Sequence, residues 1–195
     1  MDLQISVFLL FILFTAGHSL YCYECLTENC KESLVKCPIN ATRCESSTVV
    51  TQAGFFSSTV KVKGCAVACQ SGSMNLGVVK TSTSCCGSYF CNVKDAPDPR
   101  ATIPNGKTCY YCDEKSCSNI MRCSGTEDRC ITDRGTFGGQ SMIVKGCVSK
   151  SICDAAASAN AQGVSCCEGN LCNSDKSFTQ SYIQSVTQSY TFNGA

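Results

Sequence analysis

The chain has 195 residues, 20 of them cysteine, and a formal charge of +1. About one cysteine in ten marks a disulfide scaffold made in an oxidising compartment, which excludes the reducing cytosol as its working place. A charge this close to zero gives no electrostatic footprint for nucleic acid or an anionic membrane surface.

The chain begins with an apolar run, Ile5 to Ala16. At twelve residues it is shorter than the roughly 20 a bilayer span needs. Gly17 and Ser19 fit the small-x-small rule of signal peptidase, so residues 1–19 read as a signal peptide cut after Ser19. Cleavage removes Asp2 and leaves 16 basic against 14 acidic residues, a formal +2. It also removes His18, the sole histidine.

Residues 20–94 follow. Tyr21-Cys22-Tyr23-Glu24-Cys25 reads as an opening edge strand. Asn40-Ala41-Thr42 is an N-glycosylation acceptor in a loop between Cys37 and Cys44. Thr59 to Lys63 alternates and is β-branched, so it predicts a strand with one wet face. Ser47 to Thr51 is its expected partner, turning at Ala53-Gly54, and Gly77 to Ser84 suits a further strand. Phe55 and Phe56 fall near the tip of that central hairpin. Exposed aromatics at loop tips are interface anchors, and aromatics folded back on their own sheet are packing; both readings stand for them. Tyr89-Phe90, between Cys86 and Cys91, reads as packing.

Residues 95–107 hold three of the four prolines and an Asn105-Gly106 turn signal. This short, stiff, polar linker should hold two modules side by side without merging their cores. Residues 108–175 then repeat the layout. Thr108 to Cys112 opens the module as an edge strand. Cys130 to Asp133 and Ser141 to Lys145 form the central hairpin, with Phe137 at its tip as the matching candidate contact. Ala155 to Ala159 favours a single helical turn. The end, residues 176–195, repeats Thr-Gln-Ser-Tyr at Thr179–Tyr182 and Thr187–Tyr190 and is polar and low in complexity, which predicts disorder.

The cysteines show that this is a duplication. The first block spells C-x2-C-x4-C-x6-C-x6-C-x20-C-x3-C-x15-CC-x4-C-N and the second C-x2-C-x4-C-x5-C-x6-C-x16-C-x5-C-x12-CC-x4-C-N. Ten positions match ten, and the gaps differ where loops grow or shrink. A module of about 70 residues cannot rest on an apolar core alone, so cross-links supply the remainder. Spacing alone leaves hundreds of pairings for each block of ten.

The order C-x2-C, two mid-spaced cysteines, a long gap and a final CC-x4-C-N resembles the lymphocyte antigen-6/urokinase-receptor superfamily of three-finger, snake-toxin-like domains. The resemblance implies an all-β, disulfide-rich fold with two tandem three-finger domains. It implies the pairs Cys22–Cys44, Cys25–Cys30, Cys37–Cys65, Cys69–Cys85 and Cys86–Cys91. In the second module it implies Cys109–Cys130, Cys112–Cys117, Cys123–Cys147, Cys153–Cys166 and Cys167–Cys172. It gives Asn92 and Asn173, each after the last cysteine of its module, a structural role tying neighbouring backbones across the knot.

The expected chemistry is non-enzymatic. A Ser or Cys nucleophile needs a base, usually histidine, and none remains after cleavage. Every cysteine has a partner in the implied pairing, so no free thiolate is expected, and the secretory route and the absent histidine argue against a zinc knuckle. Glu127-Asp128 reads as a solvated turn rather than a glycosidase carboxylate pair. No cofactor is expected.

Ile103-Pro104-Asn105-Gly106, Gly125 to Ile131 and Val144-Lys145-Gly146-Cys147 resemble two-module, gamma-type phospholipase A2 inhibitors. That implies a secreted binding protein capturing an extracellular protein, a secreted phospholipase A2 favoured, with homo-oligomer formation left open. The tail lacks the terminal apolar run of a GPI signal, so release is expected. The alternatives are a urokinase-receptor-like surface receptor or adhesion protein anchored through another C-terminus, and a toxin-like channel modulator.

Overall fold

The computed structural model describes residues 19–27, 30–113, 115–137 and 140–174. The expected signal peptide and tail lie outside them, apart from Ser19. Twelve elements follow in order: β1 (Tyr21–Thr27), β2 (Ser33–Lys36), β3 (Arg43–Ala53), β4 (Phe56–Ala66), β5 (Gly72–Asn75), β6 (Val79–Cys86), β7 (Pro104–Tyr111), β8 (Asn119–Ser124), β9 (Arg129–Phe137), β10 (Gln140–Val148), α1 (Lys150–Ser158) and β11 (Val164–Cys167). A 3-10 turn covers Cys91–Val93. The chain is an all-β, disulfide-rich pair of tandem domains.

The hairpin β3–β4 is the longest ladder, running from Arg43↔Ala66 to Ala53↔Phe56. Its β-branched run alternates between faces, and Val50 is fully buried. The expected edge strand β1 is interior: it pairs with β2 on one side and β4 on the other. The alternation of Tyr21 to Cys25 could not show this, because the partner β2 is only four residues long. The expected single helical turn is a helix of nine residues. Its i,i+4 ion pair Lys150–Asp154 and three consecutive alanines extend it over several turns.

Ten disulfides hold the modules, and none crosses between them. The first module contains Cys22–Cys44, Cys25–Cys30, Cys37–Cys65, Cys69–Cys85 and Cys86–Cys91. The second contains Cys109–Cys130, Cys112–Cys117, Cys123–Cys147, Cys153–Cys166 and Cys167–Cys172. Sulfur forms most of each core. Cys22, Cys37 and Cys44 cluster with Leu20 and Ala41 in the first module; Cys109, Cys123, Cys130 and Cys147 cluster in the second.

The two modules nevertheless share one sheet. Its order is β11-β9-β10-β5-β6-β3-β4-β1-β2, with β7–β8 as a separate ribbon. The seam is β10 against β5, with Cys147 opposite Asn75 and Val148 opposite Met74. A third apolar cluster bridges it, drawing Met74 and Leu76 from the first module onto Ile131, Val148 and Cys153 of the second. The expectation of unmerged cores is thus corrected. Three glycines permit the contact. A Cβ at Gly146 would overlap the Asn75 carbonyl oxygen, one at Gly77 would lie 2.8 Å from the Tyr111 ring, and one at Gly72 would lie 2.9 Å from Ser149 Cβ.

The linker is fastened where it leaves the first module. The Ala96 N–H donates to Ser46 Oγ at 2.9 Å, and Thr48 Oγ1 donates to the Ala96 carbonyl at 2.8 Å. Asp95 accepts from Lys61 at 2.5 Å and pairs with Lys63 at 3.0 Å. Lys63, almost wholly buried, also donates to Glu32 at 2.5 Å and to the Val93 carbonyl at 2.8 Å. The Lys61 and Lys63 hydrogen bonds hold the Asp95 carboxyl below its ordinary 3.8. Burial pulls Lys63 down, but its bonds to Glu32 and Asp95 outweigh that and raise it above 10.5. The signs bracket a window. A depressed acid stabilises the fold above its unfolded pKa and loses that contribution as pH falls through the folded value. A raised base loses its contribution as pH rises through the folded value. The clamp is therefore intact across neutral pH and opens in acid below 3.8 or in alkali above 10.5. Asp95→Asn should cost about 1 kcal/mol at pH 7, a value discounted for the partly exposed carboxylate. Thermal melts should show the gap between wild type and variant closing as pH falls below 3.8; a gap of constant size would contradict the clamp.

Candidate functional site

The central finger of the first module ends in a two-residue turn, Gly54-Phe55, between Ala53 and Phe56. Gly54 takes φ 57°, a left-handed conformation that glycine adopts without strain. The turn throws both rings into solvent: Phe55 is fully exposed and Phe56 is 65% exposed. No ionisable side chain lies between Glu45 and Lys61. The Gln52 N–H donates to the Val78 carbonyl at 2.8 Å, which straps the tip of the β5–β6 finger alongside. Val78 is itself exposed. The result is an uncharged, apolar tip on a rigid hairpin of two eleven-residue strands. In the second module the backbone of Phe137 pairs with Gln140 at the corresponding hairpin end; its side chain lies outside the described ones. Asn40 is exposed in a turn closed by the Ala41 N–H to the Pro38 carbonyl at 2.9 Å.

Asn92 and Asn173 act alike. Asn92 Oδ1 accepts from the Tyr23 N–H at 2.9 Å, and Nδ2 donates to the carbonyls of Tyr23 and Glu45, both at 2.8 Å. Asn173 accepts from the Tyr110 N–H at 2.9 Å and donates to the carbonyls of Tyr110 at 2.9 Å and Ile131 at 3.1 Å. Each side chain joins the first strand of its module to the central hairpin.

Sequence reasoning missed two features. One is a hydroxyl network along the seam. Ser149 donates its N–H to the Ser73 carbonyl at 2.9 Å, and its Oγ accepts the Ser73 N–H at 2.9 Å and lies 2.7 Å from Thr126 Oγ1. The Ser149 hydroxyl is engaged there, and it makes no capping bond to α1. The other is an aromatic cluster. Tyr21 lies 6.1 Å from Tyr89 and 6.0 Å from Phe90, and Tyr23 lies 6.3 Å from Phe90. Tyr89 and Phe90 do pack, but on the outside, each nearly half exposed.

The described groups offer little for catalysis. Glu127 is 3% exposed, so it is not the solvated residue expected. Its carboxylate accepts the Ser124 N–H at 2.9 Å, and burial pushes its pKa up. Asp128 accepts the Lys150 N–H at 2.8 Å and pairs with Arg129. The two carboxylates cap loops. Three groups have metal-ligand spacing: Cys22 with Cys37 and Cys65, Cys109 with Cys123 and Cys147, and Cys30 with Glu32 and Asp95. Every sulfur in them belongs to a disulfide, and the two carboxylates face lysines. Such a donor set does not suit a cation.

Comparison with known proteins places this architecture. The u-PAR/Ly-6 domain family matches residues 18–94, and the family described as snake toxin and toxin-like protein matches residues 108–173. Lymphocyte antigen 6E of Gallus gallus is 31% identical over 89 residues, spanning 44% of this chain and 71% of that protein. The crystal structure of mouse TEX101 aligns with 78% of this chain and 97% of its own at 16% identity, with a TM-score of 0.30 that carries no argument. Neither family match describes an enzyme. Among the described residues no helix is long and apolar enough to cross a membrane. The cysteine framework, the paired knot asparagines and the chicken relative together show that the chain belongs to the u-PAR/Ly-6 family.

Proposed function

We propose that this is a non-enzymatic extracellular binding protein that captures a secreted protein through the tip of its first central finger. The observation that carries the reading is the exposed Phe55–Phe56 pair at the uncharged tip of a rigid hairpin. Burying two such rings removes a large apolar area, and a pre-ordered hairpin loses little entropy on binding. A secreted phospholipase A2 is the favoured partner class, supported by the two-module layout and by the resemblance of Ile103 to Gly106, Gly125 to Ile131 and Val144 to Cys147 to gamma-type inhibitors.

The test is affinity capture from plasma or extracellular fluid, followed by inhibition assays on a panel of secreted phospholipases acting on micelles. Recovery and inhibition of one such enzyme is the expected result. Phe55→Ser with Phe56→Ser should weaken that binding by more than about 30-fold and leave the melting temperature unchanged. Inhibition undiminished in the double variant would remove the tip from the reading. No inhibition across the panel at micromolar concentration would remove the phospholipase.

A further inference from the structure

The nine-stranded sheet ends at β2, which is paired on one side only among the described residues. The ladder determines which groups face outward. The Cys37 N–H donates to the Leu20 carbonyl at 2.7 Å, so Leu20 and Cys37 are a hydrogen-bonded pair. Antiparallel pairs alternate, which makes Cys22–Val35 and Glu24–Ser33 hydrogen-bonded pairs too. Tyr21–Lys36 and Tyr23–Leu34 are then the non-hydrogen-bonded pairs. The N–H and C=O groups of Leu34 and Lys36 therefore point away from β1 into the open edge. By the two-residue period, the side chains of Leu34 and Lys36 share a face with Tyr21 and Tyr23. That face continues onto Tyr89 and Phe90, which sit against the same tyrosines. Leu34, Tyr89, Phe90 and Tyr21 are all exposed.

Charge selects the occupant. Residues 20–94 carry seven Lys and Arg against four Glu, a formal +3. Glu32 beside the strand is held by the buried Lys63, and the exposed Glu24 of β1, opposite Ser33, falls on the other face by the two-residue period, which leaves Lys36 as the charge on the Leu34 face. Lysine on an edge strand discourages pairing with a second copy, and the same charge favours an acidic strand.

We propose that the open edge of β2 is a docking site for an extended acidic segment of a partner protein, added antiparallel as a further strand. Main-chain bonds form to Leu34 and Lys36. Apolar side chains of the segment lie over Leu34 and the Tyr21, Tyr23, Tyr89 and Phe90 cluster, and a carboxylate two residues along meets Lys36. This surface is separate from the central-finger tip and stands whether or not the phospholipase reading holds.

The probe is a capped octapeptide in which threonine alternates with glutamate and phenylalanine, titrated into the full-length oxidised protein. Amide hydrogen exchange should slow at Leu34 and Lys36 and stay unchanged at Ser33 and Val35. Lys36→Glu, an exposed change that leaves the ladder intact, should weaken binding at least about tenfold, and the same peptide with lysine for glutamate should bind no better than that variant. No protection at Leu34 and Lys36 at millimolar peptide overturns the proposal, as does equal binding of the lysine peptide. Protection of these amides without peptide, in a protein that sediments as a dimer, overturns it in favour of a second copy.

Discussion

Asn92→Ala should destabilise the first module by about 3 kcal/mol. The side chain makes three hydrogen bonds to the backbone of Tyr23 and Glu45. Each such bond contributes about 1 kcal/mol, and stranding buried backbone groups adds a desolvation cost. Asn173→Ala should cost a similar amount in the second module, since the geometry repeats. The two share no partner, so their effects should add. Asn92→Asp is the sharper variant. It keeps the acceptor for the Tyr23 N–H but loses both donors, so a carboxylate then faces two carbonyls. That environment raises its folded pKa, and stability returns as pH falls below it. Circular-dichroism melts at pH 7 and pH 4 check this. A loss under 1 kcal/mol for the alanine variant would mean that the disulfides and the β1–β4 ladder hold the first strand to the hairpin without it.

Gly146→Ala should open the seam, and Gly64→Ala should leave the protein unharmed. The two glycines occupy the same place in the duplicated phrase Val-Lys-Gly-Cys, at Val62–Cys65 and Val144–Cys147. A Cβ at Gly64 meets nothing within 4 Å, while one at Gly146 runs into the Asn75 carbonyl and comes within 3.0 Å of Leu76 Cα. The obstacle is backbone and cannot swing aside. Overpacking of this kind costs about 1–3 kcal/mol, and relief comes by breaking the two-residue pairing of β10 with β5. At Gly64, a glycine with no positive φ, alanine restricts the unfolded chain and is neutral or stabilising by about 0.5 kcal/mol. Small-angle scattering should show an increased radius of gyration for the Gly146 variant alone. Equal behaviour of the two variants would deny the seam its role.

The cysteine periods, the central hairpins and the turn of the first one were legible in the sequence because each is a local or evenly repeated pattern. Thr59 to Lys63 alternates and lies in the observed ladder, and the turn expected at Ala53-Gly54 falls one residue on, at Gly54-Phe55. The short strands were not legible. β2 and β5 have four residues each, too few for a period to rise above composition. The seam was hidden for a deeper reason. Nothing local separates Gly146 from Gly64 or marks Ser149 as the partner of Ser73; those roles exist only once two distant segments meet. Of the candidate contacts, Phe55 and Phe56 were visible because a turn signal stood beside them. The aromatic cluster was not, since Tyr21 and Phe90 meet only through the disulfide knot.

The account rests on two covalently separate knots joined into a single sheet. The direct test is amide hydrogen exchange at Ser73 and Ser149, whose N–H groups bond across the seam at 2.9 Å. The account predicts that both exchange as slowly as the interior amides of β3 and β9. Exchange at loop rates, with β3 and β9 still protected, would show two modules moving independently and would contradict it.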